Sequence, residues 1–180
     1  MNLISAILCS TAAVGGSLMI PGVASATSVH CTAEGGADIT VIEGSTGCRA
    51  ASDAAGHARS AGYDGVGYAR ASQGAAALGV GAAGGVGASE GTGGIPIAVG
   101  GGAAPMAVRM IAADPAAGPA MAVAIAFQGS RAEVGGTPDG SVVCLGSGAI
   151  AWNMQSGATC LTTPFGSWKP TLPVTAADRS

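Results

Sequence analysis

The sequence predicts an all-β fold, a single small domain of short Gly/Ala-rich strands that is stapled by disulfides and follows a cleaved signal peptide. Three observations predict it. In residues 121–127 every second side chain is large and those between are alanine, the period-two pattern of a strand. Turn signals separate several such runs, with no long amphipathic helix between them. The cysteines after residue 26 are even in number, which suits an oxidising compartment.

The first element is an export signal over residues 1–26. Residues 3–19 carry no charge, and a Pro21-Gly22 break precedes the small-x-small sequence of residues 24–26, which signal peptidase reads. We expect the secreted domain to span residues 27–168 and a flexible tail to span residues 169–180.

Two alternatives to cleavage are a transmembrane helix and a lipid anchor. Glycines, serines and threonines interrupt the apolar run, whereas a span needs about 20 continuous apolar residues. Cys9 lies too early for lipidation, and Cys31 follows a histidine where a small residue is required. No basic side chain precedes His30, which leaves open a true start other than Met1.

The composition indicates a folded chain of small side chains. The protein has 32 glycines, 9% charged and 3% aromatic residues, yet it is 48% hydrophobic, whereas disorder requires low hydrophobicity and high charge. The net charge is -3 and no lysine precedes Lys169. Nucleic acid is therefore not expected as a partner, because phosphate contacts need a basic patch.

The four cysteines of the mature part are Cys31, Cys48, Cys144 and Cys160. Three pairings are possible, and closeness in sequence favours Cys31 with Cys48 and Cys144 with Cys160. Each loop closure should contribute about 3 kcal/mol in the chain-entropy model. A zinc site is disfavoured because no C-x-x-C spacing occurs and the chain has only two histidines.

The alternation predicts strands along the mature chain, at residues 39–41, 66–68, 78–80, 95–99, 106–110, 121–127 and 150–152. Residues 106–111 and 121–127 are predicted to pair as an antiparallel hairpin. A short helix is predicted over residues 49–61 from the i, i+4 spacing of Arg49, Asp53 and His57, although Gly56 weakens it. The rings of Trp152, Phe165 and Trp168 are predicted to cap the end of a core that is otherwise poor in large groups. Stacking of these rings on a sugar or lipid is the alternative.

A degenerate repeat occupies the middle of the chain, with copies at residues 56–60, 67–71, 79–83 and 85–89. Each copy has a glycine, a larger residue, a small residue, any residue and a small residue. Short glycine-punctuated repeats suggest a β-roll or solenoid, whose small side chains let successive turns pack closely. Chance matches in a Gly/Ala-rich chain are the alternative, and a compact sandwich remains open.

Two catalytic motifs occur without their usual context. Residues 87–91 match G-x-S-x-G around Ser89, but no histidine follows His57, and an all-β chain lacks the strand-turn-helix elbow. A triad of Asp53, His57 and Ser89 is the residual hydrolase reading. Residues 79–84 match G-x-G-x-x-G, but no helix or distant acid follows. We expect no catalytic, cofactor or metal site.

The residues also carry a resemblance. The end of the signal, Cys31 with Cys48, and residues 64–72 and 142–146 look like a family of small secreted actinobacterial proteins of unknown function. This resemblance implies location only. More distantly, the Gly-Ala repeats are similar to the β-roll heads of trimeric surface adhesins.

The leading functional hypothesis is a secreted or cell-envelope-associated protein that is structural or interacting rather than enzymatic, with self-association or an envelope component as its partner. The alternative is a binding module for an apolar, lipid-like envelope ligand, with a face lined by Met106, Met110, Met121 and Phe127. A serine hydrolase is the weaker alternative. After cleavage of the signal, no membrane-spanning segment is expected.

Overall fold

The computed structural model describes residues 26–102, 107–108, 111–112, 121–135 and 141–170. These residues form sixteen β-strands and no helix, so the all-β prediction is confirmed. Residues 1–25 of the predicted signal and most of the predicted tail lie outside the described residues, as do Met106, Met110 and the turn signal at residues 137–140. Among the described residues no helix is of a length and apolarity that would cross a bilayer.

The strands are β1 (Ser28–Glu34), β2 (Asp38–Glu43), β3 (Thr46–Ser52), β4 (His57–Tyr63), β5 (Val66–Ser72), β6 (Ala76–Ala82), β7 (Val86–Thr92), β8 (Ile95–Gly101), β9 (Ala107–Val108), β10 (Ile111–Ala112), β11 (Met121–Phe127), β12 (Arg131–Val134), β13 (Val142–Leu145), β14 (Ala149–Asn153), β15 (Thr159–Thr163) and β16 (Gly166–Trp168). All the strands predicted from alternation in the described residues are present.

The chain alternates between two sheets from β3 to β11. The large sheet has the order β1-β4-β6-β8-β11-β14-β15-β16, and the small sheet has the order β10-β7-β5-β3-β2, with β9 also on β7. Strands β4, β6, β8 and β11 pair in parallel, as do β3, β5 and β7. Each turn of chain thus adds one strand to each sheet, which is the solenoid arrangement.

The repeat of this solenoid is longer than the sequence copies suggested. His57 pairs with Ala76, which lies 19 residues later, and Val66 pairs with Val86, which lies 20 residues later. The copies read from the sequence fall around β4 to β7, but Gly56 and Gly85 precede their strands. Gly67 and Gly79, in contrast, lie inside theirs. The structural period is therefore one turn containing two strands.

Antiparallel strands and disulfides close both ends of the solenoid. At the first end, β1 pairs with β4 and β2 pairs with β3, and Cys31–Cys48 joins the two sheets. At the other end, the hairpin of β12 and β13 packs on β11, β14 and β15, and Cys144–Cys160 ties this hairpin to the large sheet. The predicted disulfide pairing is confirmed.

The interior between the sheets is made mainly of glycine and alanine, with the disulfides and a few other residues such as Val134 and Pro96. Two clusters of buried small residues occupy the ends, and Ala50, Ala69 and Ala124 in them are fully buried. Between them the backbones approach so closely that a methyl group on Gly79 would lie 1.9 Å from the carbonyl oxygen of Tyr68. Glycine is required there because any Cβ would enter the opposite strand.

The predicted helix over residues 49–61 is wrong, since this segment forms the end of β3, a turn and β4. In the turn, the Asp53 carboxylate accepts hydrogen bonds from the backbone N–H groups of Ala55, Gly56 and Gln73 at 2.7–3.0 Å. An Asp side chain that bonds nearby N–H groups favours a turn over a helix interior.

The predicted hairpin between residues 106–111 and 121–127 is also wrong. Strands β9 and β10 pair in parallel with β7 in the small sheet, whereas β11 pairs in parallel with β8 in the large sheet. The two segments follow the same alternation between sheets as the preceding turns, so they lie in different sheets.

Candidate functional site

The side chains that alternate with the buried glycines and alanines all point outward. The large sheet therefore exposes a surface of apolar residues, which we call the apolar face and define as the outward side chains of β6, β8, β11, β14 and β15. The outward side chains of the small sheet form the polar face. In each strand the burial pattern alternates, with the small residues inside.

The strand register places the apolar side chains in rows across the large sheet. One row contains Leu78, Ile97, Val123 and Trp152. The next contains Val80, Val99, Ile125, Ile150, Leu161 and, on β16, Trp168. Because side chains on adjacent strands contact across a sheet, these rows form one continuous surface.

This surface is accessible to solvent and uncharged. Ile150 is 43% exposed and Phe127 is 49% exposed, and Leu78, Ile95 and Trp152 are also exposed. No outward position of the five described strands holds a charged residue. Monomers rarely expose contiguous apolar patches larger than a few hundred Å², so the apolar face is the strongest candidate binding surface among the described residues.

Charged and aromatic groups border the apolar face on β1 and β4. His57 Nδ1 lies 3.5 Å from Glu34 Oε1, and both side chains are more than half exposed. The rings of His30 and Tyr63 make an edge-to-face contact with centroids 5.4 Å apart. The apolar face therefore has a polar border on one side.

The residues expected to line an apolar ligand site are placed only in part. Met121 and Phe127 lie at the two ends of β11 on the apolar face, and Phe127 lies over Gly101, where a methyl group would be 3.1 Å from its ring. Met106 and Met110 lie outside the described residues. The grouping of all four stays a prediction.

The aromatic rings expected to cap the core are on the surface instead. Phe165 is 98% exposed and Trp168 is 58% exposed, and Trp152 points outward from β14. The cap prediction is wrong because the hairpin of β12 and β13 covers the inner side of this end with small residues.

The polar face carries two side-chain pairs. Arg49 donates two hydrogen bonds to the carboxylate of Asp38, at 2.7 and 3.0 Å, and this interaction lowers the pKa of Asp38 and raises that of Arg49. Tyr68 donates its phenolic hydrogen to Glu90 Oε1 at 3.1 Å. Burial raises the pKa of Tyr68, and this hydrogen bond raises it further.

A shallow groove of about 380 Å³ runs along the polar face between these pairs. Arg70 lies in it, together with Asp53 and Ser72 at its end. Along the groove, Asp38 pairs with Arg49, whereas Asp53 accepts backbone hydrogen bonds. An exposed pair of this kind contributes little to stability.

The residual catalytic triad is not assembled. The Ser89 side chain points into the interior, and its hydroxyl donates to the carbonyl oxygen of Pro96 at 3.0 Å. His57 is exposed on the outer side of the large sheet and faces Glu34. Asp53 bonds its own turn. In the described part of the chain, no group of three or more metal-ligating side chains comes together.

Sequence reasoning named two residues of the apolar face, Met121 and Phe127, but it missed the rest of that face and the whole polar face. The signal was present in the alternation, which separated large from small residues, but it did not tell which set faces outward. The phase follows from glycines such as Gly79 and Gly87, which tolerate no Cβ on their inner side.

Fold and surface together define a class: a disulfide-closed β-solenoid with a Gly/Ala interior and one apolar outer sheet face. A family model matches residues 1–163, and the chain belongs to this family, which is described as a family of unknown function, DUF6764. No curated protein and no solved structure matched the chain.

Proposed function

We propose that this protein is a secreted or cell-envelope-associated interaction protein without enzymatic activity, and that it binds its partner through the apolar face. The observation that carries this proposal is the continuous surface of exposed, uncharged side chains across β6, β8, β11, β14 and β15. Such a face loses water favourably when it is covered, at about 25 cal/mol per Å² of apolar surface.

The compartment is supported by the disulfides and by the signal sequence. Cys31–Cys48 and Cys144–Cys160 close both ends of the solenoid, and disulfides persist in oxidising compartments. The uncharged run and the small residues 24–26 fit an export signal.

The non-enzymatic role is supported by the positions of the nucleophile candidates. The buried Ser89 hydroxyl has its own acceptor, and a nucleophile needs a base within hydrogen-bond reach. The charged side chains of the polar face lie on a shallow, open surface. Water there weakens the electrostatic interactions that would have to stabilise a transition state.

An apolar, lipid-like ligand is the second candidate partner, favoured by Met121 and Phe127 on the apolar face. Such a ligand has to lie on the outside of the large sheet. Between the sheets there is no space for it near Gly79 and Gly87, where even a methyl group would meet backbone atoms.

The test combines two measurements: N-terminal sequencing of the exported protein, and hydroxyl-radical footprinting of the protein in its native setting. The exported protein should begin at Thr27 by N-terminal sequencing. In the native setting, hydroxyl radicals should label Trp152 and Met121 less than they do in highly diluted purified protein, because the partner covers these side chains. Tyr68, on the polar face, serves as the internal control and should be labelled equally in both states.

Two results would refute the proposal. If the protein is uncleaved and cytoplasmic, the proposed secretion is refuted. Equal labelling of Trp152 in both states would show that the apolar face stays uncovered and is not the binding surface.

A further inference from the structure

We infer that the partner of the apolar face is a second copy of this chain, and that two copies pair face to face through their large sheets. This inference rests on the proposed function, because it names the occupant of the same face. Its support comes from the thickness of the sheets, the area of the face and the distribution of charge.

The first argument is the size of the side chains on the two sides of the large sheet. Sheets that pack face to face in a sandwich lie about 10 Å apart and fill that space with large interdigitating side chains. The inner side of the large sheet has glycine and alanine and sits much closer to its neighbour. The outer side, with Ile97, Val99, Val123 and Ile125, has the residues of half a sandwich core.

The second argument is area. Three strands of seven residues and two of five, spaced about 4.8 Å apart, cover about 490 Å² per copy. Two such faces bury about 980 Å² in total, close to the roughly 1,000 Å² expected of a specific interface. Trp168, which continues one row on β16, enlarges the surface further.

The third argument is charge. A membrane surface attracts proteins that place Lys and Arg around their apolar face. Here the net charge is -3, and the border mixes both signs. Arg59 is exposed on β4 beside Leu78, while His57 on the same strand faces the carboxylate of Glu34. A single arginine on a border that also carries a carboxylate does not form a basic rim. An uncharged flat face is complementary to another uncharged flat face, and a copy of the chain supplies one at equal concentration.

Symmetry makes this pairing closed. A two-fold interface uses the same patch on both copies, so no second surface is required and assembly stops at the dimer. The central strand β11 of each copy would lie near the two-fold axis. Strand β6 of one copy would then face β14 and β15 of the other.

The experiment measures the mass of the purified mature protein in solution, by light scattering coupled to gel filtration and by sedimentation. At about 100 μM, well above a micromolar dissociation constant, we expect a dimer. Ile150→Glu buries an unpaired carboxylate in the interface and should raise the dissociation constant by about 100-fold or more. Ile42→Glu is the matched control, because Ile42 is 72% exposed on the small sheet, and it should leave the dimer intact.

The outcomes separate the two proposals. A protein that is monomeric at about 100 μM overturns self-association. A dimer that survives Ile150→Glu overturns pairing through the apolar face. If Ile150→Glu fails to fold by circular dichroism, Ile95→Glu, at a 40% exposed position of the same face, takes its place. A monomer whose Trp152 is nevertheless protected in its native setting refutes only the second copy and leaves the binding face standing.

Discussion

Replacing Gly79 with alanine places one methyl group between the two sheets. The added Cβ would lie 1.9 Å from the carbonyl oxygen of Tyr68, 2.7 Å from its carbonyl carbon and 2.9 Å from the carbonyl oxygen of Gly87. All three atoms are backbone, so no side chain can rotate away. Restoring ordinary contact requires the strands to separate by about 1.5 Å, in an interior packed as densely as a crystal.

The cost follows from that displacement. Overpacking a core typically costs about 1–3 kcal/mol and sometimes more, and here the strain falls on paired strands of both sheets. We expect Gly79→Ala to lower the free energy of unfolding by at least about 3 kcal/mol, from a total of about 5–15 kcal/mol for a domain. The usual gain of about 0.5–1 kcal/mol for replacing a strand glycine is too small to offset this.

The assay is urea denaturation followed by far-ultraviolet circular dichroism, with both disulfides intact. Gly47→Ala is the matched control, since a methyl group there would have its nearest neighbour at 3.8 Å, and its unfolding free energy should equal or slightly exceed that of the parent. A Gly79→Ala protein within about 0.5 kcal/mol of the parent, the range of neutral surface substitutions, would refute the close approach of the sheets.

The remaining predictions concern a turn, the interior and acid stability. Ala83 has a φ of 50°, which costs a β-carbon residue about 1 kcal/mol, so Ala83→Asn should raise the free energy of unfolding by about 0.5–1 kcal/mol, since Asn tolerates this region; a loss in urea denaturation would contradict this. The Ser60 hydroxyl is buried with no hydrogen-bond partner among the described residues, so Ser60→Ala should stabilise by about 1 kcal/mol. Ser89→Ala, which removes a hydroxyl bonded to a carbonyl, should destabilise in the same assay, and the opposite order would contradict the reasoning. Hydrogen bonds from Gln73, Ala55 and Gly56 lower the pKa of Asp53, against the effect of burial. Its contribution is therefore present above the unfolded pKa of about 3.9 and lost as the pH falls through the folded pKa, so melting temperatures between pH 6 and pH 2 should fall less for Asp53→Asn than for the parent; equal slopes would exclude this role.

The strands of this fold follow from local sequence, whereas their pairing does not. Alternation predicted β8 and β11, because a period of two is set by the backbone of each strand alone. Parallel pairing depends on contacts between segments 19 to 26 residues apart, and in a chain rich in glycine and alanine many registers look equivalent. The predicted hairpin failed for that reason. The disulfides succeeded because each pair is close in sequence, at separations of 17 and 16 residues.

The site was harder to predict because the usual rule for burial is inverted. Large apolar residues normally face the core, so Trp152 and Trp168 were placed there, whereas the structure exposes both. The inversion has a steric cause, since two sheets separated by glycine backbones leave no room for large side chains between them. The helix predicted around Asp53 failed for a local reason, because spacing alone did not reveal that its carboxylate bonds the turn.

An interior built from backbone and methyl groups also changes how this protein responds to mutation. In an ordinary domain the harmful core substitutions are truncations, which leave cavities. Here Gly81, Gly87 and Gly100 already have the smallest side chain, and a methyl group on any of them would meet a carbonyl oxygen at 2.0–2.2 Å. At these glycine positions volume can only be added, so the larger tolerated changes in side-chain size are expected on the two outer faces. The outward side chains of the solenoid can therefore be substituted while the glycines of its interior have to stay the same.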